Sequence, residues 1–328
     1  MSHRWSREKA SEWYRGLPWM VGCNFIASTA INQLEMWQAD TWDPLAIERE
    51  LTRAAGLGFN TVRVYLHDLV WASDAEGLRS RMERFLAIAS SRGIRPLFVF
   101  FDDCWNGSPS IGKQPEPIPG VHNSGWVKSP GNELMRCREK WTVLEEYVKD
   151  VTRHFGDDHR VLAWDLYNEP GNGERDSKAL ELLALVFSWA RAADPSQPLT
   201  SGVWSDDRRF RKLQLELSDI VSFHSYGPLD DLHRTIAKVK RHGRPVLCTE
   251  YMARTRESLF RTHLPVLKEQ NVGCYNWGLV AGKTNTIYPW GSKQGSPEPR
   301  LWFHDILRPD GSAFDPDEVS LIRGLTRT

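Results

Sequence analysis

The residues best suited to chemistry are two glutamates that close separate apolar runs, Glu169 in VLAWDLYNEP (161–170) and Glu250 in RPVLCTE (244–250). Each stands where a predicted strand gives way to a loop, and Asn168 sets an amide beside the first carboxyl before Pro170 and Gly171 break the run. Two carboxyls facing each other across a cleft divide into a protonated acid and an ionised nucleophile, because adjacent like charges push one pKa up. That is the equipment for cleaving a glycosidic bond with retention of configuration. For either glutamate alone, a loop start or an arginine partner is an equally good reading. Their joint placement favours chemistry.

For the two to meet, the chain must bring separate strand ends to one place. Strands are predicted at 18–25, 60–67, 95–103, 161–170, 197–204, 219–226, 244–251 and 272–280. Between them run helical stripes: Ile47, Leu51 and Ala54 behind the Asp43-Pro44 start; Leu78, Met82, Phe85 and Ala89; Leu144, Val148, Val151 and Phe155; Leu180, Leu183 and Phe187; Leu232, Ile236 and Val239. A weak helical segment separates strands five and six, Pro265 interrupts the helix before strand eight, and a final helix near 315–326 closes the base or side. The strand count, the absence of a G-x-G-x-x-G turn after the first strand and the polar residues ending nearly every strand favour one closed (β/α)8 TIM barrel, a single domain over 1–328, above a doubly wound sheet. Strands four and seven then stand on opposite sides of the mouth, with Glu169 facing Glu250.

Composition narrows the partners. The 42 basic and 42 acidic residues cancel, so no global field recruits nucleic acid or an anionic membrane surface. Fifteen tryptophans offer flat faces to ring-shaped ligands, which points to a carbohydrate. The opening MSHRWSREKASEWYRG lacks the apolar run of a secretory signal, so the expectation is a cytoplasmic protein, or a secreted one if a leader has been removed. Cys23, Cys104, Cys137, Cys248 and Cys274 form no C-x-x-C pair and read as buried reduced thiols; no metal-ligand spacing occurs, and neither metal nor cofactor is expected.

With Asn168-Glu169-Pro170 on the fourth strand and Glu250 on the seventh, the chain resembles retaining glycoside hydrolases of the large barrel clan that includes family 5, the cellulase family. The resemblance implies a β-glycosidase acting by double displacement, Glu250 as nucleophile and Glu169 as acid/base. It also implies roles for further residues. Arg63, in TVRVYL, would hold Glu250 ionised; Asn168 would bond the sugar 2-hydroxyl; Tyr226 would donate to Glu250; and His224 would orient substrate or Glu169. Trp277 in YNWG would be the sugar platform, with a cis peptide to Gly278. The third strand ends in Asp102-Asp103-Cys104-Trp105, and the seventh continues TEYMAR rather than Glu-Phe-Gly, both departures from the family pattern. The first loop resembles bacterial proteins labelled cellulase-like or 1,4-β-xylanase.

Within that loop Asn24, Gln33, Glu35 and Trp37 are candidates to line a subsite. Trp126 and His122 in the long 106–132 connection, and 283–290 after strand eight, are candidates to fold over the cleft and turn a groove into a pocket. Asp103 is a further supporting candidate. Three other readings remain open at this stage: a non-catalytic carbohydrate-binding barrel, a transglycosylase, and a metal-dependent barrel enzyme using Asp102, Asp103 and Glu169.

Overall fold

The computed structural model describes residues 4–173 and 177–327. Among these, eight parallel strands alternate with helices: β1 (Val21–Phe25), β2 (Thr61–Tyr65), β3 (Arg95–Asp102), β4 (Ala163–Asn168), β5 (Leu199–Thr200), β6 (Val221–Ser225), β7 (Val246–Tyr251) and β8 (Gly273–Trp277). They pair in the order β5-β4-β3-β2-β1-β8-β7-β6. Val203 closes the ring by bridging to β6, its N–H donating to the Ser222 carbonyl (2.8 Å) and its carbonyl accepting from His224 N–H (3.0 Å). The fold is the expected (β/α)8 TIM barrel.

Side-chain alternation sorts the apolar residues into two layers. Leu97, Val99, Ala163, Ile220, Leu247 and Tyr275 fill the barrel interior, whereas Phe98, Phe100, Trp164, Val62 and Val64 pack outward against the helices. Helices Pro44–Gly56 and Pro316–Thr326 begin as their sequences require, with Asp43 and Asp315 accepting from first-turn amides and proline at the first position.

Three elements differ from the sequence expectation. β5 pairs over two residues only, because the backbone beyond it is engaged by side chains: Gln214 Nε2 donates to the Gly202 carbonyl and Ser218 Oγ accepts from Ser201 N–H. Helix Phe260–Glu269 continues through Pro265, its buried face of Phe260, His263, Leu264 and Leu267 outweighing the lost amide. The opening segment, for which no element was predicted, forms helix Arg7–Arg15 behind a Ser6 cap. It closes the barrel base, with Trp5 N–H donating to Asp219 (2.8 Å) and Tyr14 bridging Asn271 and Gly273. The final helix lies at the side, against Phe260–Glu269 and the end of Pro44–Gly56. No described helix is long and apolar enough to cross a membrane.

At the opposite end, the long β3 and β8 connections are ordered by each other. Asn123 N–H donates to Thr284 O (2.8 Å) and Gly295 N–H to Pro119 O (2.8 Å). Buried Arg254, following β7, donates to the carbonyls of Trp302 (3.0 Å), His304 (2.9 Å) and Asp305 (3.1 Å) and to Glu318 (2.7 Å). One guanidinium thus fastens the β8 connection and the final helix to the barrel. Arg254→Met leaves these acceptors unpaired and is expected to cost about 3 kcal/mol or more of unfolding free energy, read from denaturant melts.

Candidate active site

The site is assembled by strand register. Asn24 pairs with Arg63 across β1–β2 and with Trp277 across β1–β8, and Asp102 pairs with Asn168 across β3–β4. The β6–β7 ladder slips between Phe223 and His224, so that His224 stands against Glu250. The slip places the imidazole between the two glutamates. One ligating atom from each of Glu169, His224 and Glu250 lies within 4.8 Å of the others.

Arg63, 0% exposed, is the hub. Its guanidinium donates to Asp165 (3.0 and 2.8 Å), Asn24 (2.8 Å), Tyr65 Oη (2.5 Å), Glu250 Oε1 (2.8 Å) and Asn168 Oδ1 (2.6 Å). Every donor of the fork has an acceptor, as a buried guanidinium requires. Glu250 Oε1 also accepts from Tyr65 (3.0 Å), and its Oε2 from Tyr226 (2.8 Å).

Glu169 is served differently. Its Oε1 accepts from His224 Nδ1 (2.8 Å), and its Oε2 from Asn172 Nδ2 (2.6 Å) and the Cys104 thiol (3.3 Å). Its backbone sits in the left-handed region, φ +44°, which is strained for a side-chain-bearing residue. Asp103 holds that turn, accepting from Gly171 N–H (2.6 Å) and Tyr167 Oη (2.8 Å). Burial pushes the Glu169 carboxyl up, but the bond and charge of His224, with Cys104 and Asn172, bring it below the ordinary carboxylate value. For His224, burial works downward while Glu250 and Glu169 together raise it above the ordinary histidine value. Asp102, which fixes Asn168 Nδ2 (2.9 Å) and Trp126 Nε1 (2.7 Å), is pushed by burial up to about 7.

Glu169, Glu250, Asn168, His224 and Tyr226 line a cavity of about 830 Å³ at the carboxyl ends of the strands, with Trp277, Trp126 and His122 among its walls and Arg63, Asp102 and Asp103 buried behind it. Other predicted positions fall elsewhere. Trp37 is core, stacked on Trp42 with its indole N–H on the Tyr65 carbonyl, and the subsite role expected of it is overturned: its short helix, Gln33–Trp37, turns the ring inward. Glu35 is likewise no lining residue, being taken up by Ile31 N–H and Lys283, and Gln33 is buried against Val127 O. Asn24 supports Arg63 from below, fixed by the Thr249 carbonyl (2.8 Å). The Trp277–Gly278 peptide is trans, not cis as expected, and Gly278 makes the turn with φ +78°. Cys104 is no inert buried thiol but part of the cavity wall beside Glu169, and Cys137 is half-buried.

Sequence reasoning missed Tyr65 and Asp165, the inward partners of Arg63, as well as Trp105, Trp204, Arg256 and His304 on the walls. Two-residue spacing from Arg63 signals Tyr65; His304 lies in a stretch with no periodicity to place it. The carboxylates do not suit a cation. Their oxygens face N–H, O–H and S–H donors, with the Arg63 guanidinium among them, and Asp103 points away into its own turn.

A (β/α)8 barrel with opposed carboxylates and tryptophans at its mouth belongs to the class of sugar-cleaving barrel hydrolases. The family model "Cellulase (glycosyl hydrolase family 5)" matches residues 26–283, and the chain belongs to that family. It is a glycosidase, hydrolysing O-glycosyl bonds in a carbohydrate. Comparison with curated proteins gives no match. Among solved structures the chain is similar to the endo-1,4-β-mannanase of Rhizomucor miehei (14% identity, TM-score 0.61, covering 95% of each chain). It is also similar to the exo-β-1,4-mannosidase Op5Man5 of Opitutaceae bacterium strain TAV5 (18%, 0.64, 94% of this chain and 60% of that one). A GH5_18 variant from Streptomyces cattleya in complex with Manβ1-4GlcNAc is a third (13%, 0.62, 94% and 80%). At these identities the likeness is one of fold.

The imidazole between two carboxylates is directly testable. In an NMR pH titration His224 is expected to titrate above the ordinary value of about 6.5, and Glu169→Gln is expected to bring it down. An unchanged midpoint in the variant would show that the two groups are not coupled.

Proposed function

We propose that this glycosidase is a retaining β-glycoside hydrolase working by double displacement, with Glu250 as nucleophile and Glu169 as acid/base. The observation that carries the reading is the short approach of the two carboxylates, each with its own set of donors. Inverting enzymes need room for a water between the carboxyls, roughly 6.5–9.5 Å, whereas retaining ones bring them to roughly 5–5.5 Å. One oxygen of each carboxylate lies within 4.8 Å of the other, which favours the shorter arrangement.

Arg63, Tyr65 and Tyr226 hold the Glu250 carboxylate in place, aimed at an anomeric carbon lying over Trp277. The proton needed by the leaving oxygen resides on the Glu169–His224 pair, and the 2.8 Å bond is its path to the carboxyl. Attack by Glu250 breaks the bond from the anomeric carbon to the leaving oxygen, which takes that proton. Glu169, now ionised, then removes a proton from water as the water displaces Glu250. Asn168 is suited to the sugar 2-hydroxyl, Asp102 and Arg63 having fixed the orientation of its amide. No cofactor enters either step. Mannanases and mannosidases among the structural neighbours put β-1,4-mannosides first among substrates to try, with β-glucosides and β-xylosides beside them.

Glu250→Ala is expected to lower kcat on the order of 10⁴- to 10⁶-fold, and Glu169→Ala roughly 10²- to 10⁴-fold on substrates with poor leaving groups. Added azide should restore turnover in both, giving the α-glycosyl azide with Glu250→Ala and the β-glycosyl azide with Glu169→Ala. Near-normal activity of either variant would sink the assignment. Because the shared proton is lost as pH rises through the raised His224 value, kcat/KM should fall only above about pH 6.5, the ordinary histidine value. His224→Gln should move that descending limb to lower pH.

A further inference from the structure

We propose that the cavity is closed behind the sugar it transfers, so that the enzyme works from the non-reducing end of its substrate and releases one sugar per cut. The proposal rests on the two-glutamate reading above and adds the direction and mode of attack. It is carried by which loops line the cavity, which side is open, and what the closed end presents.

Lining residues come from the connections after β3 through β8, and none comes from those after β1 or β2. The β3 connection lies across that side. Asn32 Nδ2, from the β1 loop, donates to Gln114 Oε1 (2.8 Å) and to the Gly125 carbonyl (2.8 Å), and Gln33 Nε2 donates to the Val127 carbonyl (3.0 Å). A Cβ on Gly125 would come within 2.3 Å of Ile31 Cδ1, and one on Gly120 within 2.6 Å of the Ser296 backbone nitrogen, so backbone and wall touch directly at both places. With the Asn123–Thr284 and Pro119–Gly295 hydrogen bonds, the result is one continuous wall from β3 to β8.

The chemistry has a direction relative to this wall. The leaving oxygen must lie beside Glu169 on β4, and beyond Glu169 the cavity runs past Trp204, Asp206 and Asp231 on the β5 and β6 side. There it adjoins a second cavity of about 630 Å³ that shares Trp204, Asp206 and His224 with it. The leaving group is thus directed to the β5 and β6 side, while the far end of the transferred sugar meets the wall.

The closed end carries His122 and His304, 3% and 1% exposed, their rings 5.5 Å apart, both lining the cavity. Each commits Nδ1 to a backbone carbonyl, Tyr288 O for His122 (2.7 Å) and Met252 O for His304 (2.7 Å). A carbonyl only accepts, so Nδ1 carries the hydrogen and Nε2 is left as an acceptor, with no partner among the described residues. Burial keeps both rings neutral, pushing His122 down to about 4 and His304 well below the ordinary value. Two acceptors in a buried wall are satisfied by hydroxyl groups. A terminal sugar brings hydroxyls there; a chain continuing through that position brings a glycosidic oxygen, which cannot donate and leaves an acceptor bare.

The test uses β-1,4-linked manno-, gluco- and xylopentaoses with a fluorescent label at the reducing end, alongside the matching aryl β-glycosides. The expected pattern is labelled tetraose first, then labelled triose, with one unlabelled monosaccharide per cut. Labelled di- or trisaccharide appearing before tetraose would overturn end-on action and leave the two-glutamate mechanism standing. No release from any pentaose or aryl glycoside would overturn that mechanism, and this proposal with it. His122→Asn and His304→Asn keep an N–H donor where Nδ1 stands and delete the Nε2 acceptor; each is expected to reduce kcat/KM about 10- to 100-fold on the accepted pentaose through KM, measured well below the unfolding midpoint of either variant. An unchanged KM in both variants would overturn the assignment of the closed end.

Discussion

A guanidinium fully out of water in the middle of the barrel is the constraint from which the rest of the site follows. Arg63 cannot be buried at 0% exposure without acceptors for its whole fork, and the acceptors it finds come from β1, β4 and β7 as well as its own strand. Asp165 below balances the charge, so Glu250 above is held as a partner without having to be the sole counter-ion. The same fork orients Asn168 and Tyr65, tying the positions of four functional side chains to one cation.

The two glutamates owe their different environments to what surrounds this hub. Glu250 is faced by an arginine and two tyrosines, groups that keep their protons across the neutral range, whereas Glu169 is faced by a histidine, an amide and a thiol. The histidine, the one of these groups that titrates near neutrality, bonds to Glu169 (2.8 Å) and stands 3.6 Å from Glu250 without a bond. The slip in the β6–β7 ladder makes this possible, since His224 in unbroken register would not stand against Glu250. Strain at Glu169 and the brace from Asp103 indicate that the acid/base candidate is held rather than merely exposed.

Stability and shape are divided between the two ends of the barrel. Helix Arg7–Arg15 closes the base, and the long connections after β3 and β8 build the mouth by binding to each other. Arg254 couples the two concerns, because the segment it anchors, Trp302 to Asp305, contains His304. Residues far from the carboxylates thereby decide how the cavity ends.

The barrel was legible because strand and helix periodicities are local, and each of the eight strands left its apolar run in the sequence. Glu169 and Glu250 were legible for a related reason, since a strand end fixes where a side chain emerges, whereas Arg63, His224 and Tyr226 were read from the resemblance to the barrel clan. Trp37 and the Trp277 peptide show where locality fails, since whether an indole faces a ligand or the core, and how a turn is made, depends on neighbours remote in sequence. The β6–β7 slip, the inward pairing of Asp165, and the His122–His304 pair drawn from connections nearly two hundred residues apart exist only once loops have met. The sequence by itself determined the barrel and the residues at its strand ends, because backbone periodicity dictates both. Tertiary structure alone decided which carboxylate is hydrogen-bonded to an imidazole and which side of the mouth is walled, because those depend on contacts between segments remote in sequence.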